Sequence, residues 1–181
     1  MGRPVFHEYT LEGLVAASRL VARVERTEAR ERIEEREGLR AVLWPLRLVE
    51  VLFANEAPLK QGPISRGDLL PPGPVPRPGG IEVLANRVNL VDQVNRRRSP
   101  SGASFPAERY RSDPQTVDAA EWITFLVERR GKLEFTAQGA FVPLAELPAV
   151  REAIRLAESG LPARQEERRA LLAHLDQREG K

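Results

Sequence analysis

Several residue types are absent or rare in this chain of 181 residues, and their scarcity removes whole classes of function. There is no cysteine, which excludes disulfides, thiolate zinc sites, iron–sulfur clusters and cysteine nucleophiles. The two histidines, His7 and His174, are too few for a multi-histidine metal centre. We therefore predict that the protein holds no metal and no cofactor.

The motifs of common enzyme classes are also missing. His7-Glu8 begins like the zinc-protease pattern, but Leu11 stands where that pattern requires its second histidine. There is no Gly-x-Ser-x-Gly elbow and no glycine-rich phosphate loop ending in Lys-Ser or Lys-Thr. The sequence therefore predicts no catalytic residues and a protein that is not an enzyme.

No stretch is apolar enough to span a membrane or to direct secretion. The most apolar run, residues 39–54, is 16 residues long and contains three charged side chains, whereas a bilayer needs about 20 apolar residues. Residues 1–4 lead into Glu8 and not into an apolar segment. We predict no membrane span and a location in the cytoplasm or in a virion.

Arginine carries almost all of the positive charge. Lys+Arg is 28 and Asp+Glu is 26, so the net charge is only +2, and three of the basic residues are lysines. A net charge this small is not typical of an obligate nucleic-acid binder. The arginine, the 15 prolines and the lack of cysteine fit a thermophilic host or its phage, and equally a GC-rich coding bias.

The first 57 residues carry patterns typical of long helices. After a candidate N-cap at Thr10, apolar residues recur at helical spacing. Residues 23–40 contain six arginines and six glutamates, which predicts a solvated helix, a protruding arm or one strand of a coiled coil. Residues 39–54 are apolar on all sides, which predicts a helix buried in a core or clamped by a partner.

Proline and glycine then interrupt the helical pattern. Seven prolines and five glycines fall within residues 58–80, where they remove backbone donors and fix the backbone angle φ. This composition predicts an extended loop or a linker. It also marks the boundary between a first part, residues 1–57, and a compact last part, residues 81–181.

The last part is predicted to be mostly helical. Apolar spacing favours helices over 81–95 and 117–130, and a β-hairpin is expected near 132–142. Prolines near residues 148 and 162 open two helices of a final helical hairpin. The predicted fold class is therefore mainly α, an α+β chain with long N-terminal helices and one small hairpin.

A cluster of arginines beside aromatic residues indicates one function, contact with nucleic acid. Guanidinium groups pair with phosphates and rings stack on bases, although arginines at a helix end also satisfy terminal carbonyls. The order of helix, Gly131 and hairpin also resembles the end of a winged-helix domain. The candidate contact residues are Arg96, Arg97, Arg98, Arg109, Tyr110, Arg111, Arg129, Arg130 and Lys132.

Three features favour a different role, contact with other proteins: the charged segment 23–40, the apolar segment 39–54 and the proline-rich segment 58–80. They predict a non-enzymatic structural or assembly subunit, such as a phage or viral component, that binds protein partners or itself. We take this as the leading prediction and nucleic-acid binding as the alternative. The predicted interface residues are Trp44, Leu48, Val51, Leu52 and Phe53.

Overall fold

Strands form the framework of the protein. The computed structural model describes residues 10–27, 32–36, 39–60, 62–89, 120–129, 131–136 and 141–180. The strands within these ranges are β1 (Leu20–Arg26), β2 (Arg32–Arg36), β3 (Leu39–Ala54), β4 (Gly79–Asn89), β5 (Glu121–Arg129), β6 (Lys132–Phe135) and β7 (Phe141–Pro143). The helices are α1 (Leu11–Ala17), α2 (Arg66–Leu69), α3 (Leu147–Ser159) and α4 (Leu161–Glu179).

Five of these strands close into a barrel. β1 pairs with β3, β3 with β4, β4 with β6, β6 with β5, and β5 with β1. Of these five pairings between described strands, only β4–β6 is parallel, and it pairs Val83 with Leu133. β2 and β7 are extra strands on β3 and β5. The prediction of a mainly α fold with long N-terminal helices is therefore wrong.

One face of each barrel strand fills the interior. Along β1 the alternate residues Leu20, Ala22 and Val24 are buried, and they pack against Trp122 and Leu126 of β5. Successive side chains of a strand point to opposite faces, so this spacing of two places one apolar set inside. β3 and β4 complete the same cluster with Leu46, Leu48 and Val83.

Part of the outer face of β1 and β5 is buried as well, because two helices cover it. Val21, Ile123 and Phe125 are inaccessible to solvent and pack under α1 and α3. α1 contributes Leu14 and Val15, and α3 contributes Val150, Ala153, Ile154 and Ala157. The two neighbouring strands therefore separate two apolar clusters, one inside the barrel and one beneath the helices.

Burial on both faces explains why β3 has the sequence pattern of a helix. Leu46 and Leu48 lie in the interior cluster, whereas Phe53 lies in the cluster beneath the helices. A strand that is apolar on both faces cannot be told from a buried helix by periodicity alone. The helix prediction for residues 39–54 is wrong for this reason. The helical and coiled-coil predictions for residues 23–40 are also wrong, because this segment contributes to β1, β2 and β3.

Pro45 lies within β3 at a gap between two partner strands. Along one edge of β3, the pairing with β1 ends at Leu46 and the pairing with β2 begins at Leu43. Pro45 lies between these two positions. The Pro45 carbonyl accepts a hydrogen bond from the Thr27 hydroxyl at 3.1 Å, so it faces this gap. Because the N–H and C=O of one strand residue point to the same edge, the missing N–H of proline interrupts no strand pairing.

Other predicted elements have a different secondary structure, or pair with a different strand, from the one expected. The predicted helices over 81–95 and 117–130 are replaced, where the chain is described, by β4 and β5. Both strands of the hairpin predicted near 132–142 exist as β6 and β7. Each pairs with β5, however, and β5–β6 is the true hairpin. Gly131 makes its turn with a φ of 73°, a left-handed value that favours glycine.

Several local predictions are confirmed. The Thr10 side chain caps α1 by accepting a hydrogen bond from the Gly13 N–H at 3.0 Å. The C-terminal helices begin as expected, each with a proline in its first turn. In the described ranges, no helix is both long and apolar enough to cross a membrane.

The fold makes a direct prediction about Phe125. This ring is completely buried beneath α1 and α3, so replacing it with alanine leaves a cavity between the helices and the barrel. We expect Phe125→Ala to lower the free energy of unfolding by about 3–5 kcal/mol, measured by denaturant titration. Leu156→Ala, at an exposed position of α3, is the control and should cost less than about 1 kcal/mol. Equal costs would contradict the packing described here.

Candidate functional site

The barrel extends on one side into a three-stranded ribbon. It consists of β2, residues 39–43 of β3 and residues 84–89 of β4. β1 ends before this region, because its last residue, Arg26, pairs with Leu46. We call this extension the ribbon.

A cleft of about 550 Å³ lies between the base of the ribbon and the β5–β6 turn. Arg32 and Leu43 line it from the ribbon, and Ile81 and Glu82 line it from β4. Gly131 and Lys132 form the opposite side, and two prolines of the β3–β4 connection complete the wall. The cleft therefore lies across β3 and β4, with β2 at one side and the β5–β6 turn at the other.

The charged groups of the cleft neutralise one another. Arg32 donates hydrogen bonds to Glu82 at 2.7 Å and Glu34 at 2.6 Å, and these bonds raise the pKa of the guanidinium despite some burial. Lys132 lies 3.9 Å from Glu34. The cleft therefore has no strong net charge.

The outer wall of the barrel repeats this pattern of paired charges. Arg23 of β1 bridges Glu121 at 2.9 Å and Glu50 at 3.3 Å across both neighbouring strands. Glu25 accepts a hydrogen bond from Arg47 of β3. Part of the charged segment 23–40 is therefore a set of cross-strand ion pairs, which follow from strand register.

Most of the predicted nucleic-acid residues lie outside the described part of the chain. These are Arg96, Arg97, Arg98, Arg109, Tyr110, Arg111 and Arg130. Arg129 and Lys132 are described, and Lys132 lines the cleft. The winged-helix resemblance is wrong, because residues 121–129 form a strand.

The chain enters and leaves the segment 90–119 on the ribbon side of the barrel. Asn89 pairs with Leu39 at the end of the ribbon. On the return, the carbonyl of Ala120 accepts a hydrogen bond at 2.9 Å from the N–H of Arg26, where β1 ends. Both attachment points of the arginine-rich segment therefore lie at the end of the barrel from which the ribbon extends.

The structure places the predicted protein-interface residues on β3, most of them in or against the two apolar clusters. Leu48 and Phe53 are buried in the protein's own clusters, and Val51 and Leu52 pack against them. Trp44 is half-buried and meets Phe135 edge-on, with ring centroids 5.8 Å apart. The helix on which this interface was predicted is a barrel strand.

No known family, curated protein or solved structure matches the chain. The described residues also contain no group of three or more histidines or carboxylates able to hold a metal ion.

Sequence reasoning missed three arginines that hold the connection between β3 and β4. We call residues 55–78 the connector. Arg19 donates to the carbonyls of Asn55 and Gly73, Arg164 to those of Ala57 and Ala157, and Arg168 to those of Pro58 and Asp68, at 2.7–3.3 Å. The connector's prolines lack N–H donors, so guanidinium groups supply hydrogen bonds that a regular backbone would otherwise make.

Asp68 also stabilises the connector, through hydrogen bonds within it. Its carboxylate accepts hydrogen bonds from Lys60 at 2.6 Å and from the Ser65 N–H and hydroxyl, each at 2.7 Å. Burial of the carboxyl works to raise its pKa, but these hydrogen bonds outweigh it and lower the pKa to about 2. The folded connector therefore favours the ionised form of Asp68.

The lowered pKa of Asp68 predicts that its contribution to stability is lost in acid. Because folding lowers its pKa from 3.8 to about 2, the contribution is complete well above pH 3.8 and disappears as the pH falls through 2. We expect Asp68→Asn to destabilise the protein by about 1–2 kcal/mol at neutral pH, and by progressively less in acid.

Denaturant titration from pH 7 down to pH 2 measures this difference. Glu158→Gln, which removes an exposed carboxylate of α3, is the control and should show no such trend. An Asp68→Asn difference that stays constant with pH would contradict the assignment.

Proposed function

We propose that the protein binds single-stranded nucleic acid, without catalysing a reaction, in the cleft between the ribbon and the β5–β6 turn. Counted in chain order, the five barrel strands are arranged 1-2-3-5-4, with the third and fifth strands parallel. This is the connectivity of OB-fold barrels, which bind oligonucleotides across strands two and three, with loops 1–2 and 4–5 at the sides.

The position of the cleft carries the proposal. Leu43, Ile81 and Glu82 belong to the second and third barrel strands, β3 and β4. Arg32, the first residue of β2, lies in the connection between the first and second barrel strands, and Gly131 lies in the turn between the fourth and fifth. The cleft therefore lies where OB-fold barrels bind their ligands. Because one fold serves many functions, this position supports the proposal more than the connectivity alone does.

The charge needed to bind phosphates comes, in this proposal, from the arginine-rich segment. The cleft's own arginine and lysine face carboxylates, and the barrel wall is similarly neutralised. Arg96, Arg97 and Arg98 lie in the segment that joins the ribbon end of the barrel to β5. None of the aromatic side chains whose burial the structure describes is exposed. In this proposal the ring that stacks on bases is therefore Tyr110 of the arginine-rich segment.

Fluorescence anisotropy of a labelled dT20 strand tests this function. We expect micromolar or tighter binding that weakens steeply with salt, and weaker binding of the matching duplex. The triple variant Arg96/Arg97/Arg98→Ala should reduce the slope of log K against log salt by about 2, since each lost contact removes about 0.7. Lys132→Glu should weaken binding about ten-fold if the strand crosses the cleft.

A triple variant of exposed helix residues, Arg151/Arg155/Arg178→Ala, is the charge-matched control and should leave the salt slope unchanged. If both triple variants reduce the slope equally, the binding is a general effect of positive charge. Absence of dT20 binding at low salt would overturn the proposal.

Contact with other proteins is a second proposal, and exposed apolar side chains of the connector favour it. Leu59, Ile64, Leu70 and Val75 are 44–51% exposed. Large apolar side chains concentrated in one surface segment are typical of interaction sites. In this role the chain is an assembly subunit of the cytoplasm or of a virion, and the connector replaces the predicted 39–53 surface.

A further inference from the structure

A second groove, of about 520 Å³, runs between the connector and α4. The connector side includes Leu70, Pro72 and Val75, and the α4 side includes Arg168, Arg169 and Leu172. Arg19, which is only 5% exposed, also lines this groove. The groove shares no lining residue with the nucleic-acid cleft except Pro74.

Much of the groove wall is aliphatic. Leu70 is 50% exposed and Val75 is 44% exposed, although both lie against a concave surface. Neighbouring prolines and Leu172 extend this apolar lining. None of the lining residues is aromatic, so the groove offers no ring on which a base could stack, whereas aliphatic side chains of a peptide would fit it.

The residues that line the groove also carry an excess of positive charge. Three guanidinium groups, those of Arg19, Arg168 and Arg169, face a single lining carboxylate, Glu56, which accepts a hydrogen bond from Gln165 at 2.6 Å. Arg19 donates only to carbonyls, and its buried Nε has no hydrogen-bond partner. Arg169 makes no ion pair with any residue that the structure describes.

Arg168 adds to this excess of charge. Both of its hydrogen bonds go to backbone carbonyls. Burial lowers its pKa, the Asp68 carboxylate partly opposes this effect, and Arg164 adds a smaller lowering. A carboxylate brought into the groove would stabilise the charged form of all three arginines. Charge-assisted hydrogen bonds of this kind are about twice as strong as neutral ones.

We propose that this groove binds an acidic peptide segment of a partner protein. Carboxylates of the segment pair with the guanidinium groups, and its large aliphatic side chains cover Leu70 and Val75. The inference rests on the second proposed function, contact with other proteins, and it names the surface and the chemistry of the partner.

Fluorescence anisotropy with short labelled peptides tests the proposal. The probe is an eight-residue peptide in which four aspartates alternate with four leucines, and it should bind saturably and less tightly as salt increases. A peptide with asparagine for aspartate and one with serine for leucine should each bind at least about ten-fold more weakly. If the asparagine peptide binds equally well, the charge argument fails.

Single substitutions then locate the binding surface. Arg169→Glu and Leu70→Asp alter exposed side chains and should each weaken binding about ten-fold. Arg151→Glu makes the same charge change on α3, away from the groove, and should leave the affinity within about two-fold. Equal weakening by Arg151→Glu, or displacement of the peptide by dT20, would overturn the proposal.

Sedimentation of the unlabelled protein distinguishes a failure of the groove proposal from a failure of the assembly role on which it rests. If the peptide fails to bind but the protein self-associates, the groove proposal falls and the assembly role stands. If Arg169→Glu abolishes peptide binding without changing self-association, the groove is a separate peptide site.

Discussion

The closure of the barrel depends on the pairing of β3 along both of its edges. One edge pairs with β4 from Leu39 to Leu48, and the other pairs first with β2 and then with β1 up to Ala54. A strand of 16 residues is long enough to do both. Its first residues form the ribbon and its last residues form the barrel wall, so one strand sets the position of the cleft between them.

The connector depends on a different interaction, the donation of guanidinium N–H groups to carbonyls. A segment so rich in proline has few donors of its own, and it is held where Arg19, Arg164 and Arg168 reach it. Two of these arginines belong to α4, which has no buried residue. The helix is therefore held to the protein mainly by polar contacts, and the groove beside the connector stays open.

Local chemistry could be predicted from the sequence, but the fold could not. The cap at Thr10 and the prolines that open α3 and α4 act over a few residues, so a single sequence reveals them. β3 and β5 are buried on both faces, and their apolar runs match helices equally well. The partners of Arg19 and Arg168 lie up to 110 residues away in the chain, and no local spacing indicates them.

The parallel contact between β4 and β6 tests the account most directly, because without it the five barrel strands would form an open sheet. In a two-dimensional NMR experiment on the labelled protein, backbone NOEs should connect Val83 with Leu133 and Leu84 with Glu134. Strand-type NOEs should also run through residues 43–54. Helical NOEs over 43–54 together with no contact between β4 and β6 would contradict the barrel, and with it the cleft.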